Sequence, residues 1–171
     1  METTSDAEML MNAIVALITP DLYDIGLAAI EKLKNDRPLH KWHNNGMLWK
    51  SVFSGVEVIS NCKTPAHQDP HAAPQAYKLL VSAGTHTEAH LSLPDIQTRL
   101  QYLPGTVVGI CGRVLRHEVA DWTGGKRICI AHFMRDWVHN RLNLRRPGWV
   151  NCDQYVKLMN NGFAERQGLV G

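Results

Sequence analysis

Cysteine is sparse in this chain and never paired along it: Cys62, Cys111, Cys129 and Cys152 form no CxxC motif. That spacing excludes a zinc knuckle and argues against a disulfide-dense secreted scaffold, so the thiols are expected to be reduced and mostly buried. Long apolar runs are missing too. The stretch from Ala13 to Ile18 is too short to span a bilayer, which needs about 20 residues. Glu2, Asp6 and Glu8 stand where a signal peptide would place positive charge, and an intracellular protein is the expectation. An excess of one charge is also lacking, because 18 Lys and Arg against 16 Asp and Glu leave a formal +2 and a pI near 8.4. Composition therefore announces no nucleic-acid partner, and any DNA footprint must be local. There is no internal repeat, low-complexity tract or linker.

What is present suits one folded unit: 171 residues with a hydrophobic fraction of 44%. The opening forty residues read as two helices. Ser5 and Glu8 have capping-box spacing, and Met9, Leu10, Ala13, Ile14 and Leu17 recur at helical intervals up to Pro20. Leu22, Ile25, Ala29 and Leu33 give the second helix its apolar stripe before Pro38. From Leu48 the period becomes alternating, with β-branched residues gathered in 52–59, 76–81, 106–119 and 127–134. Turn signals at Pro65, Pro70, Pro74, Gly84, Pro94, Pro104-Gly105 and Gly124-Gly125 separate these runs, so an α+β protein with a closed or double-layered β structure is expected. The domain divides into helical support over 1–40, a β core over 45–140, and a basic C-terminal segment over 141–171 whose short helix runs from Asp153 to Asn161-Gly162.

His67-Gln68-Asp69, then His117, then Arg127 ten positions further on, is the pattern that carries chemistry. Two imidazoles and one carboxylate hold iron(II) on one face and leave other positions open. Arg127 adds a planar cationic fork suited to the far carboxylate of a co-substrate. Strand parity agrees, since side chains two apart share a face. His117 goes with Leu115 and Val119, and Arg127 with Cys129, Ala131 and Phe133. The loop from Ala120 to Lys126 reads as a hairpin that sets His117 and Arg127 on neighbouring strands.

Other histidines are weighed against this set. His86, Glu88 and His90 alternate, as zinc ligands would, but with Ser92 they equally make the polar face of a half-solvated strand opposite Ala89, Leu91 and Leu93. His132 and His139 either touch substrate or are solvated. Arg135, Arg141, Arg145 and Arg146, interleaved with Trp137 and Trp149, form the most basic stretch, either a phosphate-contacting strip or a solvated arm.

Three segments, His67-Gln68-Asp69, Gly112-Arg113-Val114-Leu115-Arg116-His117 and Lys126-Arg127-Ile128-Cys129-Ile130 with Phe133-Met134-Arg135-Asp136, resemble the Tet/JBP group of iron(II)- and 2-oxoglutarate-dependent dioxygenases, most of all its short fungal members associated with transposable elements. The resemblance is specific over roughly residues 45–140. It implies a double-stranded β-helix, a distorted jelly roll with iron at its mouth. It also implies His67, Asp69 and His117 as ligands, Arg127 as the anchor for 2-oxoglutarate, and Phe133 as a ring that stacks on a flipped base.

The related AlkB-like repair enzymes carry a second arginine six after the first and an Asn-x-Tyr upstream. Here the sixth position is Phe133 and no Asn-x-Tyr precedes His67, which favours the Tet-like group. The implied partner is duplex DNA with methylated bases, with no membrane and no protein partner, and a nuclear address. Its methyl group lies on 5-methylcytosine or N6-methyladenine; the sequence leaves the choice open. His43, Asn44 and Asn45, in a segment that otherwise reads as a glycine-containing turn, and Arg135 and Asp136 at the cavity rim are candidates to read the base edge. A protein or small-molecule hydroxylase and a non-catalytic DNA-binding module are the alternatives, because the triad alone names no substrate.

Overall fold

The computed structural model describes residues 3–35, 50–149 and 151–153. Two helices, α1 (Thr3–Ile18) and α2 (Pro20–Asn35), open the chain. Nine strands follow: β1 (Gly55–Ser60), β2 (Thr64–His67), β3 (Lys78–Gly84), β4 (Glu88–Leu93), β5 (Thr98–Gln101), β6 (Val107–Ile110), β7 (His117–Val119), β8 (Trp122–Thr123) and β9 (Arg127–Phe133). A short helix α3 (Asp136–Arg141), which the sequence analysis did not foresee, closes the core. His43, Asn44, Asn45 and the C-terminal helix beyond Asp153 lie outside the described residues.

The strands form two antiparallel sheets. One runs β1-β9-β3-β6, and the other β2-β7-β4-β5 with β8 paired to β4. Two curled sheets face to face are the jelly roll that the family resemblance implied. Leu80, Leu91, Tyr102, Val119, Cys129 and Ala131 fill the space between them. A second apolar cluster lies behind the first sheet, where Met11, Val15, Leu22, Phe53, Leu79 and Met134 join it to the helices. Adjacent Leu79 and Leu80 show how one strand serves both layers: successive side chains point to opposite faces, and both faces of β3 are covered. Burial of each leucine contributes about 1.5–3 kcal/mol.

The helices correct one expectation and bear out another. On α1 the buried residues are Met11, Val15 and Ala16, while Met9, Leu10 and Leu17 are exposed. This helix is apolar on most of its circumference, so its periodicity could not say which stripe turns inward. Its first turn also starts at Thr3, which puts Ser5 inside the helix and not at its cap. On α2, Leu22, Ile25 and Ala29 are buried as expected.

Histidines are placed more deeply than the sequence suggested. His132 is neither solvated nor in the substrate pocket: it is buried on the helix side of β9, with Nε2 2.9 Å from Oε1 of Glu8 on α1. His86 leaves the polar face assigned to it and is buried, its Nε2 3.0 Å from the carbonyl oxygen of Tyr102. Glu88 and His90 do face outward on β4.

His139 on α3 is buried as well, with Nδ1 donating to the Arg145 carbonyl at 2.9 Å and Nε2 unpartnered among the described residues. Burial pushes its imidazole below the usual histidine range. The folded chain keeps it neutral where an unfolded chain takes up a proton near pH 6.5. The associated stability is present above about pH 6.5 and is lost as pH falls through the lowered folded value. His117, buried and shifted the same way, adds to this slope. The melting temperature is expected to drop between about pH 7 and pH 5, and less steeply in His139→Asn, which keeps a donor for the Arg145 carbonyl. Identical slopes in the two proteins would show that His139 plays no part.

Candidate metal and co-substrate site

β2 ends at His67, two residues before Asp69, and the two side chains converge on one cluster. β7 pairs antiparallel with β2, and its register sets His67 opposite His117. The two imidazoles lie 4.2 Å apart between centroids, and ligand atoms of His67, Asp69 and His117 all fall within 4.8 Å of one another. The backbone fixes both rings. His67 Nδ1 lies 2.8 Å from the Pro65 carbonyl oxygen and His117 Nδ1 3.0 Å from that of Leu115. A ring that donates from Nδ1 presents the Nε2 lone pair, which is how a metal-binding histidine is oriented. Burial lowers the affinity of His117 for a proton, so the ring is neutral at pH 7 and ready to ligate. Two imidazoles and a carboxylate are the donor set of a facial iron(II) site.

Asp69 is held by its surroundings. Its N–H donates to the Gly112 carbonyl at 2.9 Å, and a Cβ on Gly112 would lie 2.0 Å from Asp69 Oδ2. The Gly-Arg-Val-Leu-Arg-His segment therefore needs its glycine for packing against Asp69. Lys78, missed by the sequence analysis, stands beside the triad, with Nζ 2.6 Å from Asp69 Oδ2 and 2.8 Å from His117 Nε2. It shares a face of β3 with Leu80, which points between the sheets; that parity was the available signal.

Arg127 is 1% exposed, yet it takes part in none of the ion pairs among the described residues. Its Nη1 donates to the Cys62 carbonyl at 2.9 Å, and its Nε, also buried, finds no partner among the described residues. The guanidinium sits 5.8 Å from the ring centroids of both Tyr102 and Trp122. Burial pushes the Tyr102 hydroxyl far above its usual range, so it remains a neutral wall. A buried cation with an orphaned N–H and no counter-charge among the described residues suits an anion, and a carboxylate answers it with paired hydrogen bonds.

One cavity of about 160 Å³ joins the triad to Arg127 and reaches Phe133 and Arg135 at its mouth. The inward parity of Arg127, Cys129, Ala131 and Phe133 holds, since all four line it. The expected hairpin does not form. β7 belongs to one sheet and β9 to the other, because Trp122 and Thr123 pair with Ala89 and Glu88 of β4. The chain crosses between sheets there, and His117 and Arg127 come from opposite walls of one cavity. Such a crossing separates metal and anion ends across the roll, where adjacent strands would lie only about 5 Å apart.

Phe133 is placed by Gly55, whose missing Cβ would meet the ring at 2.6 Å, and the Arg135 guanidinium lies 4.9 Å from the ring centroid. The basic strip is revised. Arg145 makes a two-pronged ion pair with Asp21, and Arg146 does the same with Asp136 at 2.6 and 2.9 Å, with Asn140 accepting at 2.9 Å. These charges tie the C-terminal segment to α2 and α3. Asp136 is thereby engaged away from a base edge.

A model of the Tet/JBP family, the oxygenase domain of the 2OGFeDO superfamily, matches residues 2–136. No curated protein matches. Among solved structures, the chain is similar to NgTET1 in complex with 5mC DNA, at 19% identity over 78% of this chain and 50% of that one, with a TM-score of 0.49. It spans half the length of that protein. A Cupin 2 conserved barrel domain protein from Salinispora arenicola aligns at 19% identity over 56% of this chain and 76% of that one, with a TM-score of 0.35. The polyketide cyclase RemF from Streptomyces resistomycificus aligns at 18% over 60% and 68%, with a TM-score of 0.33.

Proposed function

We propose, from the premise that this chain belongs to the Tet/JBP family of oxygenase domains, that it oxidises methyl groups on bases flipped out of DNA. The family's superfamily membership makes the protein a dioxygenase dependent on iron(II) and 2-oxoglutarate. His67, Asp69 and His117 are the residues that would hold the metal, and Arg127 would hold the distal carboxylate of the keto acid. When bound, iron and keto acid together supply the oxidising power that turns a C–H bond into C–OH, with succinate and carbon dioxide released. The protein's own part is to orient and enclose.

The observation that carries this reading is the shared cavity, with a three-ligand cluster at one wall, an unpaired buried cation at the other, and an aromatic ring at the opening. A base within a duplex cannot bring its methyl group to such a depth, so the nucleotide must leave the stack, at a cost of a few kcal/mol. Phe133 offsets part of that cost by stacking, which contributes about 1–3 kcal/mol per base. With Arg145 and Arg146 engaged by carboxylates, phosphate contacts fall to Arg135, which lines the cavity and is exposed, and to the exposed Arg113.

The test is mass spectrometry of nucleosides after 5-methylcytosine and N6-methyladenine duplexes are incubated with protein, iron(II), ascorbate and 2-oxoglutarate. Hydroxymethylcytosine or higher oxidation states, or unmethylated adenine after loss of formaldehyde, are the expected products. Succinate formed while both duplexes stay intact would instead point to a protein or small-molecule substrate. Phe133→Ala is expected to cut oxidation of methylated duplex by roughly fivefold or more, the low end being the loss of about 1 kcal/mol of stacking. Uncoupled turnover of 2-oxoglutarate should hold, and equal losses in both would remove the stacking role.

A further inference from the structure

We propose that Lys78 is a positioning residue of the metal centre, holding Asp69 by Oδ2 so that the carboxylate offers the metal only Oδ1. The proposal rests on the iron and 2-oxoglutarate assignment and is independent of which substrate is oxidised. The two oxygens of Asp69 have different neighbours. Oδ1 lies 3.6 Å from His67 Nε2, on the ligand side, while Oδ2 is 2.6 Å from Lys78 Nζ. The lysine side chain is only 12% exposed, so its ammonium is not a solvated surface charge that has drifted inward.

Gly112 is built around this pair. A Cβ there would stand 2.0 Å from Oδ2 and 2.8 Å from Lys78 Cε, so the contact is seated on bare backbone. The Asp69 N–H, donating to the Gly112 carbonyl at 2.9 Å, fixes the residue from its other end. β3 is held in turn between β6 and β9, and Lys78 pairs in register with Ile110, two residues before Gly112. Lys78 is thus placed by paired strands, while Asp69 and Gly112, just beyond the ends of β2 and β6, are tied to each other through backbone.

The consequence is one of available positions. Two imidazoles and one carboxylate oxygen leave a facial iron centre room for a chelating keto acid and for oxygen. A second oxygen from Asp69 would take one of those places. Lys78 occupies that oxygen with a charge-assisted hydrogen bond and so keeps the place open. The arrangement has an electrostatic cost, because an ammonium beside a divalent cation opposes its binding, and because His117 Nε2, 2.8 Å from Nζ, must give up that partner when it ligates. A residue that only supported the fold would have no reason to trade metal affinity for co-substrate binding.

That trade is what the experiment reads. Wild-type protein, Lys78→Met, Lys78→Gln and Lys78→Arg are titrated anaerobically with iron(II), then with 2-oxoglutarate, following the visible absorption of the chelated keto acid. In both uncharged variants, iron(II) is expected to bind as tightly as in wild type or more so, while 2-oxoglutarate binds at least tenfold more weakly and the absorption falls. Lys78→Arg, which restores a cation able to reach the carboxylate, is expected to recover most of the keto-acid affinity. Parallel losses of metal and keto acid, no change in either, or no recovery with arginine would each overturn the proposal. All readouts are binding, so failure to oxidise DNA counts against the substrate reading and not against Lys78.

Discussion

Asp69→Ala should leave the protein folded but unable to oxidise anything, with iron(II) affinity lower by more than about 100-fold. The magnitude follows from comparison: losing a partner that merely orients a ligand costs 10–100-fold, and loss of a ligand must exceed that range. Among the described residues Asp69 gives the one carboxylate gathered within 4.8 Å of the two imidazoles, so no other member of that cluster can substitute for it. The same substitution also frees Lys78 from its 2.6 Å contact and leaves an ammonium at 2.8 Å from His117 Nε2, an added charge against the incoming metal. Metal titration read by quenching of tryptophan fluorescence, beside nucleoside analysis, checks both halves. Wild-type iron affinity or activity in Asp69→Ala, or in His67→Ala, would remove the metal assignment entirely.

Arg127→Met is expected to abolish the stabilisation that 2-oxoglutarate confers while leaving the free protein no less stable. Removing one partner of a buried, hydrogen-bonded charge pair costs about 2–5 kcal/mol, a weakening of roughly thirtyfold or more. A ligand that binds only the folded state raises stability by RT ln(1 + [L]/Kd), so the shift in melting temperature at fixed 2-oxoglutarate reports the affinity directly. The stability of the free protein carries the second half. Arg127 is fully buried with an orphaned Nε and no carboxylate partner among the described residues, so one bond to the Cys62 carbonyl and two nearby rings are all that offset the cost of burying its charge until an anion binds. Methionine fills similar volume and lets Tyr102 and Trp122 keep an apolar neighbour. An unchanged 2-oxoglutarate shift would end the anchoring role. A large loss of stability without co-substrate would instead make Arg127 a structural cation.

Part of the His67–Asp69–His117 cluster was legible because it is local in sequence. His67 and Asp69 are two apart, and alternation along an extended chain puts such residues on one side. The inward set on β9 followed from the same rule, and all its members line the cavity. Lys78 obeys that rule too, but it is the only polar residue beside Leu79 and Leu80, and no spacing tied it to a distant aspartate. Gly112 was quoted as part of a motif, with no means of knowing that Asp69 Oδ2 sits where its Cβ would be.

By itself, the sequence determined the residue types of the candidate site, the inward face of β9 and the α+β composition, because these depend on residue chemistry and on periods of two and 3.6. Only the tertiary structure decided that His117 and Arg127 stand on opposite sheets, that Arg145 and Arg146 are engaged by Asp21 and Asp136, and that His86, His132 and His139 are buried. Those outcomes rest on pairings between residues far apart along the chain. Such pairings form only when the whole set of strands and helices offsets the entropy of closing long loops, so no short stretch of sequence encodes them.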